Sequence, residues 1–203
     1  MRSLLYLPLF ACLVACKARV RDADYFPMGI GDKHTYQIIK QVPGEPYRRL
    51  ITLRTEVLEK AKRNGNDYVR VRSNFTWGSY TMGGESFQVV STLFRTDQRG
   101  VYGIIEQNPD IREQQIVKFP LKIGASWDVQ MGRQTNKFSV VGFEDVALER
   151  SIYRNCIHLH SESSDGVVLD NWKAPGIGDV KSEMTSTTGA KESSSLIQFK
   201  PGK

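Results

Sequence analysis

Three side chains with metal-binding chemistry, Cys156, His158 and His160, alternate along one short segment of the chain. Residues two apart in a β-strand point to the same face, so these side chains would project together from a strand. Thiolate and imidazole bind zinc and copper, which makes the segment a candidate metal site or, alternatively, the centre of an enzyme. A complete site needs further ligands, and the sequence shows no second cluster. Because buried cysteines and hydrogen-bonded histidines are common, we expect no metal and no cofactor.

Other catalytic patterns do not occur in the sequence. No arrangement of serine, histidine and acid resembles a nucleophile motif, and three histidines leave few candidates for a general base. Residues 29–32 and 176–179 both read Gly-Ile-Gly-Asp, which suggests a phosphate loop. Phosphate loops lead into the N-terminus of a helix, whereas these segments precede predicted strands. We therefore predict a non-catalytic domain.

The first residues have the layout of a bacterial export signal. Arg2 is followed by an uncharged run from Leu4 to Ala15, which is too short for a membrane-spanning helix of about 20 residues. Leu13-Val14-Ala15-Cys16 resembles the lipobox of bacterial lipoproteins. The resemblance implies that residues 1–15 are removed as a signal peptide and that Cys16 is acylated and anchors the protein to a membrane. The alternatives are a soluble secretory signal and a poorer lipobox match at Cys12.

The residues after the signal indicate one domain without an intramolecular disulfide. Cys12 is removed with the signal and Cys16 is acylated, so Cys156 has no partner for an intramolecular disulfide. Residues 16–24 would form the lipidated tether, and residues 25–203 are long enough for one domain with a sizeable core. In many two-membrane bacteria an aspartate after the acylated cysteine retains a lipoprotein in the inner membrane. Lys17 stands there, so we expect the outer membrane of the cell envelope.

Basic residues concentrate early in the chain, which has a net charge of +6. Residues 17–72 carry 13 basic and 7 acidic side chains, against 14 and 15 in residues 73–203. Such an excess can contact anionic lipid head groups, although a solvated face is the plainer alternative. Export argues against a nucleic acid partner. The basic residues concerned are Lys17, Arg19, Arg21, Arg48, Arg49, Arg54, Lys60, Lys62, Arg63, Arg70 and Arg72.

Apolar and polar residues alternate with a period of two along most of the chain, which predicts strands. Only Leu53 to Arg63 also shows helical spacing, and β-branched neighbours favour a strand there. Asn64-Gly65 and Asp165-Gly166 are typical of tight hairpin turns, and the glycines of residues 78–84 suggest a bulged hairpin end. We predict an all-β fold, an antiparallel meander that forms a curved sheet, a half-barrel or two related β layers. The predicted strands cover residues 33–42, 47–60, 67–77, 85–97, 100–107, 111–118, 126–131, 135–145, 150–162, 166–173, 179–188 and 194–200.

An internal repeat relates residues 26–37 to residues 119–130, with five of twelve positions identical. Both copies begin Phe-Pro and contain Ile-Gly, a pattern typical of a turn that feeds a strand. Each copy would open one run of antiparallel strands. His34 occupies the position of Trp127, so we expect His34 to fill an aromatic packing slot.

These residues resemble a loose group of bacterial exported proteins and lipoproteins that carry Phe-Pro-Leu-x-x-Gly-x-x-Trp twice. The group also tends to contain a Tyr-x-x-Cys segment, here residues 153–156, and a late Ala-Pro-Gly-Val-Gly-x-Val-Lys turn, here residues 174–181. The resemblance implies an all-β domain and carries no established activity.

Four aromatic residues, Trp77, Tyr80, Trp127 and Trp172, are candidates to line a ligand groove. The alternative is that they form the core, since large aromatic side chains dominate core burial. We predict a non-catalytic envelope lipoprotein that binds a partner protein or an apolar or lipid ligand. A structural or surface-interaction role is a further alternative.

Overall fold

The structure is a computed structural model that describes residues 20–78, 85–105, 113–131 and 133–202. A short 3-10 helix, Asp22–Tyr25, precedes twelve strands. Every predicted strand has an observed counterpart, with boundaries that differ by three residues or fewer, and Leu53 to Arg63 lies within a strand as predicted. The strands are β1 (Lys33–Gln41), β2 (Arg49–Arg63), β3 (Asn66–Gly78), β4 (Glu85–Asp97), β5 (Gly100–Ile105), β6 (Gln114–Lys118), β7 (Ser126–Met131), β8 (Gln134–Leu148), β9 (Ser151–Ser163), β10 (Val168–Ala174), β11 (Gly178–Thr185) and β12 (Lys191–Lys200).

All twelve strands form one antiparallel sheet in the order β6-β5-β4-β3-β2-β1-β12-β11-β10-β9-β8-β7. Each half of the chain is a meander of six strands, and the pairing of β1 with β12 joins the halves. The edge strands β6 and β7 lie close to each other. The Trp127 ring nitrogen, on β7, donates a hydrogen bond to the Ile116 carbonyl oxygen, on β6, at 3.1 Å. The sheet is therefore nearly closed and barrel-like, which confirms the predicted all-β meander.

The two copies of the repeat open β1 and β7, the first strand of each half, as expected, and each consists of a turn and the strand residues that follow it. In the first copy the Gly31 amide donates to the Val57 carbonyl and the Val57 amide donates to the Asp32 carbonyl, at 2.8 and 2.9 Å. In the second copy Val140 makes the same pair of bonds with Gly124 and Ala125, both at 2.9 Å. Gly31 and Gly124 both have positive φ, 88° and 80°. In both copies two main-chain hydrogen bonds thus fix the turn to the second strand after it, β2 in the first copy and β8 in the second.

His34 fills the packing slot that the repeat predicts. Its ring is buried and stacks on Phe199 with a centroid distance of 4.8 Å. Its Nε2 lies 2.7 Å from the Ile177 carbonyl oxygen. The corresponding Trp127 is buried and stacks on Phe138 at 5.7 Å. Both positions therefore hold a ring whose nitrogen bonds to a main-chain oxygen.

The predicted turns are confirmed in part. Asn64 and Gly65 both have positive φ, 50° and 79°, as a tight hairpin requires. At Asp165-Gly166 only the glycine has positive φ, because residues 164–167 form a longer connection between β9 and β10. The hairpin end predicted at residues 78–84 lies mostly outside the described residues.

The main core fills the inside of the curved sheet and joins the two halves. It packs Val101 and Val117 of the first half against Trp127, Ile157 and Leu159 of the second. A second cluster centres on Tyr36, Cys156, Trp172, Val180 and Leu196. Within the described residues, no helix is long and apolar enough to cross a membrane.

Candidate functional site

Strand direction alternates across the sheet, so odd-numbered strands begin, and even-numbered strands end, at the same end of it. We call this end the proximal end. It carries residues 20–32 before β1, residues 119–125 before β7, and the β2–β3, β4–β5, β8–β9 and β10–β11 turns. The chain therefore enters the fold at the proximal end.

A groove of about 890 Å³ opens at the proximal end. One wall is the N-terminal segment, including Phe26 and Met28, and the opposite wall is formed by Val69 and Phe94 of β3 and β4. These side chains are apolar, and the Lys60 and Lys62 side chains stand along the β2 side of the same groove. The groove therefore combines an apolar interior with a margin that carries both basic and acidic side chains, in which the Lys62 ammonium lies 3.9 Å from the Asp67 carboxylate.

Hydrogen bonds to distant parts of the sheet hold the N-terminal wall in place. The Asp22 carboxylate accepts from the Leu121 amide at 3.1 Å, and the Gly176 amide donates to the Asp24 carbonyl at 2.7 Å. Tyr25 is buried, and its hydroxyl donates to the Asn155 carbonyl at 3.1 Å. Because these partners belong to three different connections or strands, the segment is fixed as part of the fold.

Arg95 supports the groove beside Phe94. Glu113 accepts two hydrogen bonds from its guanidinium, at 2.5 and 2.8 Å, and Asp97 accepts a third at 2.9 Å. The guanidinium lies 3.7 Å from the centre of the Tyr102 ring. Arg95 lowers the pKa of the Glu113 carboxyl, against the opposing effect of burial. Since its donors are already shared by carboxylates, Arg95 is suited to holding the groove in shape.

A second ion pair lies behind the N-terminal wall. The Lys173 ammonium contacts the Asp179 carboxylate at 2.5 Å and lies 5.0 Å from the centre of the Phe26 ring. Burial raises the pKa of the Asp179 carboxyl, but the charge and hydrogen bond of Lys173 oppose it. Together with smaller effects of Asn171 and His34 they lower that pKa overall. The pair therefore ties the groove wall to β10 and β11.

Cys156, His158 and His160 project from the face of β9 opposite Ile157 and Leu159, and so away from the main core. Cys156 is fully buried, and its thiol donates to the Tyr153 carbonyl at 3.4 Å. Burial raises the pKa of the Cys156 thiol to about 11. The structure therefore gives this cysteine the environment of a neutral core side chain, not that of a thiolate ligand.

The two histidines share one carboxylate. His158 Nε2 and His160 Nδ1 lie 2.8 and 3.0 Å from the same Asp170 oxygen. The His158 ring stacks on Trp172 at 4.3 Å, and the Trp172 ring nitrogen donates to Glu144 at 2.5 Å. Across the described ranges, no group of three histidine, cysteine or acidic side chains is arranged to hold a metal ion.

The aromatic residues proposed from the sequence do not come together. Trp127 belongs to the main core and Trp172 to the second cluster, and Trp77 is half-buried on β3. Tyr80 and Cys16 lie outside the described residues. Trp127 does contribute to a smaller pocket of about 390 Å³ between β6 and β7, but none of the three tryptophans lines the larger groove.

The larger groove was not predicted because its walls come from distant segments. The sequence marked Phe26 and Met28 only as parts of a turn, and Val69 and Phe94 only as strand positions. One available signal is Met28, a flexible apolar side chain within the tightly hydrogen-bonded turn of the repeat. Nothing in the sequence alone shows that this turn faces β3 and β4.

The early basic residues that the structure describes are spread along the length of the sheet, with Arg21, Lys60, Lys62 and Arg63 at the proximal end and others far from it. Arg49 is the first residue of β2 and Arg48 directly precedes it, whereas Arg63 is the last residue of the strand. A strand rises about 3.3 Å per residue, so this strand of 15 residues spans about 50 Å. Several of these charges are paired across strands, for example Arg72 with Glu56 at 2.9 Å.

No family model matches the chain, and no curated protein is similar to it in sequence. Among solved structures, its fold is similar to that of a candidate exported protein with a YmcC-like fold from Bacteroides fragilis. The TM-score is 0.53 and the sequence identity 15%, over 87% of this chain and 98% of that chain. This likeness shows the fold that the two chains share.

Two other solved structures are more distant. A candidate lipoprotein from Parabacteroides distasonis has a TM-score of 0.42 and 11% identity, over 87% of this chain and 98% of its own. A candidate outer membrane lipoprotein-sorting protein domain from Vibrio parahaemolyticus has a TM-score of 0.28 and 12% identity, over 88% of each chain. Neither likeness is close enough to support an argument about this protein.

Proposed function

We propose that this protein is a bacterial envelope lipoprotein, acylated on Cys16, whose β domain binds an apolar or lipid ligand in the proximal groove. The observation that carries the ligand proposal is that the turn before β1, with Phe26 and Met28, forms one wall of that groove. An acylated Cys16 would be only four residues before Val20, where the described chain begins. The groove and the lipid anchor would therefore occupy the same end of the molecule.

The lining of the groove indicates the class of ligand. Burying one methylene group stabilises a complex by about 0.8 kcal/mol, so an acyl chain along Phe26, Val69 and Phe94 gains affinity with its length. Lys60 lines the groove and supplies a cation for an anionic head group, whereas the Lys62 ammonium already lies 3.9 Å from the Asp67 carboxylate. We infer an amphiphile with an acyl chain and an acidic head, as in free fatty acids and anionic lipids.

Anchoring is tested separately from ligand binding. Cells that express the full chain incorporate labelled palmitate, and Cys16→Ala abolishes the incorporation. A Cys12→Ala variant is the matched control and keeps the label. Wild type without label, or label that persists in Cys16→Ala, contradicts acylation at this position. Because Lys17 follows the cysteine, we expect fractionation of a two-membrane host to recover the protein in the outer membrane.

Ligand binding is tested by native mass spectrometry of protein extracted from its own membrane. Thr96 lines the groove, so Thr96→Trp fills it with a bulky side chain. We expect a co-purifying lipid with wild type and its loss with Thr96→Trp. Gln88→Trp, on the same strand but outside the groove lining, keeps the lipid. Equal occupancy in both variants contradicts the groove as the binding site, and a co-purifying protein without lipid favours a protein partner instead.

A metal-binding function remains the alternative, favoured by one observation, the Asp170 oxygen shared by His158 and His160. Elemental analysis of protein purified without a histidine tag distinguishes the two. Our proposal expects no stoichiometric zinc or copper. Metal that is present in wild type and lost in His158→Ala overturns it.

A further inference from the structure

The repeated isoleucine of the internal repeat is exposed in both copies, unlike the repeated aromatic residue. Phe26 and Phe119, the repeated aromatic residues, contact each other with ring centroids 6.1 Å apart. By contrast, the repeated Ile30 and Ile123 are 42% and 68% exposed. The repeat therefore exposes an isoleucine on the turn in both of its copies.

Both isoleucines lie at the proximal end. Ile30 precedes β1 and Ile123 precedes β7, and these strands begin at that end. A third exposed isoleucine, Ile152, is the second residue of β9 and lies at the same end, with 64% of its surface exposed. Basic side chains flank two of these positions, Lys122 beside Ile123 and Arg150 close to Ile152.

The anchor limits how far this end can be from the bilayer. Four peptide units separate Cys16 from Val20, and an extended chain spans at most about 3.6 Å per residue. In an acylated protein Val20, which belongs to the proximal end, is therefore within about 14 Å of the membrane surface. The longest strands span about 50 Å. When they stand across the membrane plane, the opposite end of the domain is therefore far from the membrane surface.

We propose that the proximal end is a membrane-docking surface, in which Ile30, Ile123 and Ile152 enter the lipid interface and the groove opens onto the bilayer. This inference rests on the proposed acylation of Cys16. Apolar side chains in the interface and basic side chains among anionic head groups cooperate in this mode of binding. The groove would then exchange its ligand directly with the membrane that holds the anchor.

Site-directed spin labelling of the full acylated protein tests the orientation. Single cysteines replace Ile30, Ile123 or Leu50, and the nitroxide's accessibility to oxygen and to a water-soluble nickel complex is measured in vesicles containing anionic lipid. Native Cys156 is fully buried, so the label attaches to the introduced thiol. Leu50 is the matched control, since it is 56% exposed and begins β2 at the opposite end.

We expect the labels in Ile30→Cys and Ile123→Cys to gain oxygen accessibility and lose nickel accessibility on reconstitution, at depths of about 5 to 10 Å. The Leu50→Cys label stays aqueous. Three aqueous labels on a protein that carries its palmitate overturn the docking surface and leave the anchor intact. Labels that become buried only when another protein is added assign this end to a protein partner and also overturn the proposal. Protein without palmitate contradicts the proposed function itself.

Discussion

The Tyr25 hydroxyl lies 3.1 Å from both the carbonyl oxygen and the side-chain amide nitrogen of Asn155, a residue 130 positions later in the chain. Asn155 has a positive φ of 52° within β9, a conformation that asparagine tolerates better than most residues. Its own amide donates to the Asp145 carboxylate at 2.9 Å. Asn155, with its positive φ, thus binds the N-terminal segment to the second half of the sheet through Tyr25.

Removing the Tyr25 hydroxyl should loosen the groove wall. We expect Tyr25→Phe to lower the free energy of unfolding by about 1 kcal/mol, because the part-buried hydrogen bonds between its hydroxyl and Asn155 are lost. Chemical denaturation measures the change. Tyr47→Phe is the control, since Tyr47 is 59% exposed, and it leaves the midpoint unchanged. Equal midpoints for both variants would show that the contact does not stabilise the fold.

Gly100 permits the close approach of β5 and β6. A Cβ atom at this position would lie 1.9 Å from the Val117 carbonyl oxygen, so Gly100→Ala must displace β6. We expect a loss of about 2 to 3 kcal/mol in the free energy of unfolding. Gly142→Ala is the control, because its Cβ meets no atom within 4 Å. Thermal denaturation that ranks the two glycines equally would contradict this account.

The Lys173–Asp179 pair should make stability depend on acid pH. Lys173 lowers the pKa of Asp179 in the folded state despite the opposing effect of burial, so the unfolded chain binds a proton more readily. The pair's contribution is complete above the unfolded pKa of about 3.9 and is lost as the pH falls through the lower folded value. Urea denaturation from pH 6 to pH 2 should therefore show a shallower decline for Asp179→Asn than for wild type.

The exposed carboxylate of Asp128 supplies the control for this experiment. Asp128→Asn should follow the wild-type decline. Parallel pH profiles for wild type and Asp179→Asn would show that the ion pair contributes nothing to acid stability.

Cys156 should be unreactive in the folded protein. Its pKa of about 11 and its full burial leave little accessible thiolate at pH 8, and only the thiolate attacks thiol reagents. We expect the acylated protein to release no chromophore from a disulfide reagent when folded and one equivalent when unfolded. Ile152→Cys, on the exposed start of the same strand, reacts at once. Rapid native labelling of wild type would contradict the buried position.

The sequence by itself determined the strands, most turns and the place of the repeat, because these depend on neighbouring residues. The alternation of apolar and polar residues predicts a strand whatever the order of strands in the sheet. Asn64-Gly65 accepts positive φ because of its own residue types, independently of distant residues. The export signal and Cys16 likewise depend on a short local pattern, and acylation stays a prediction.

The tertiary structure decided which distant segments meet. The proximal groove exists because the segment with Phe26 lies opposite Phe94 and because Tyr25 reaches Asn155, an arrangement set by the curvature and closure of a twelve-stranded sheet. The same curvature assigns Trp127 and Trp172 to different clusters, although both were equal candidates in the sequence. Local sequence patterns do not predict that β1 pairs with β12, because the two strands are far apart in the chain. That long-range pairing brings the two halves together around the groove.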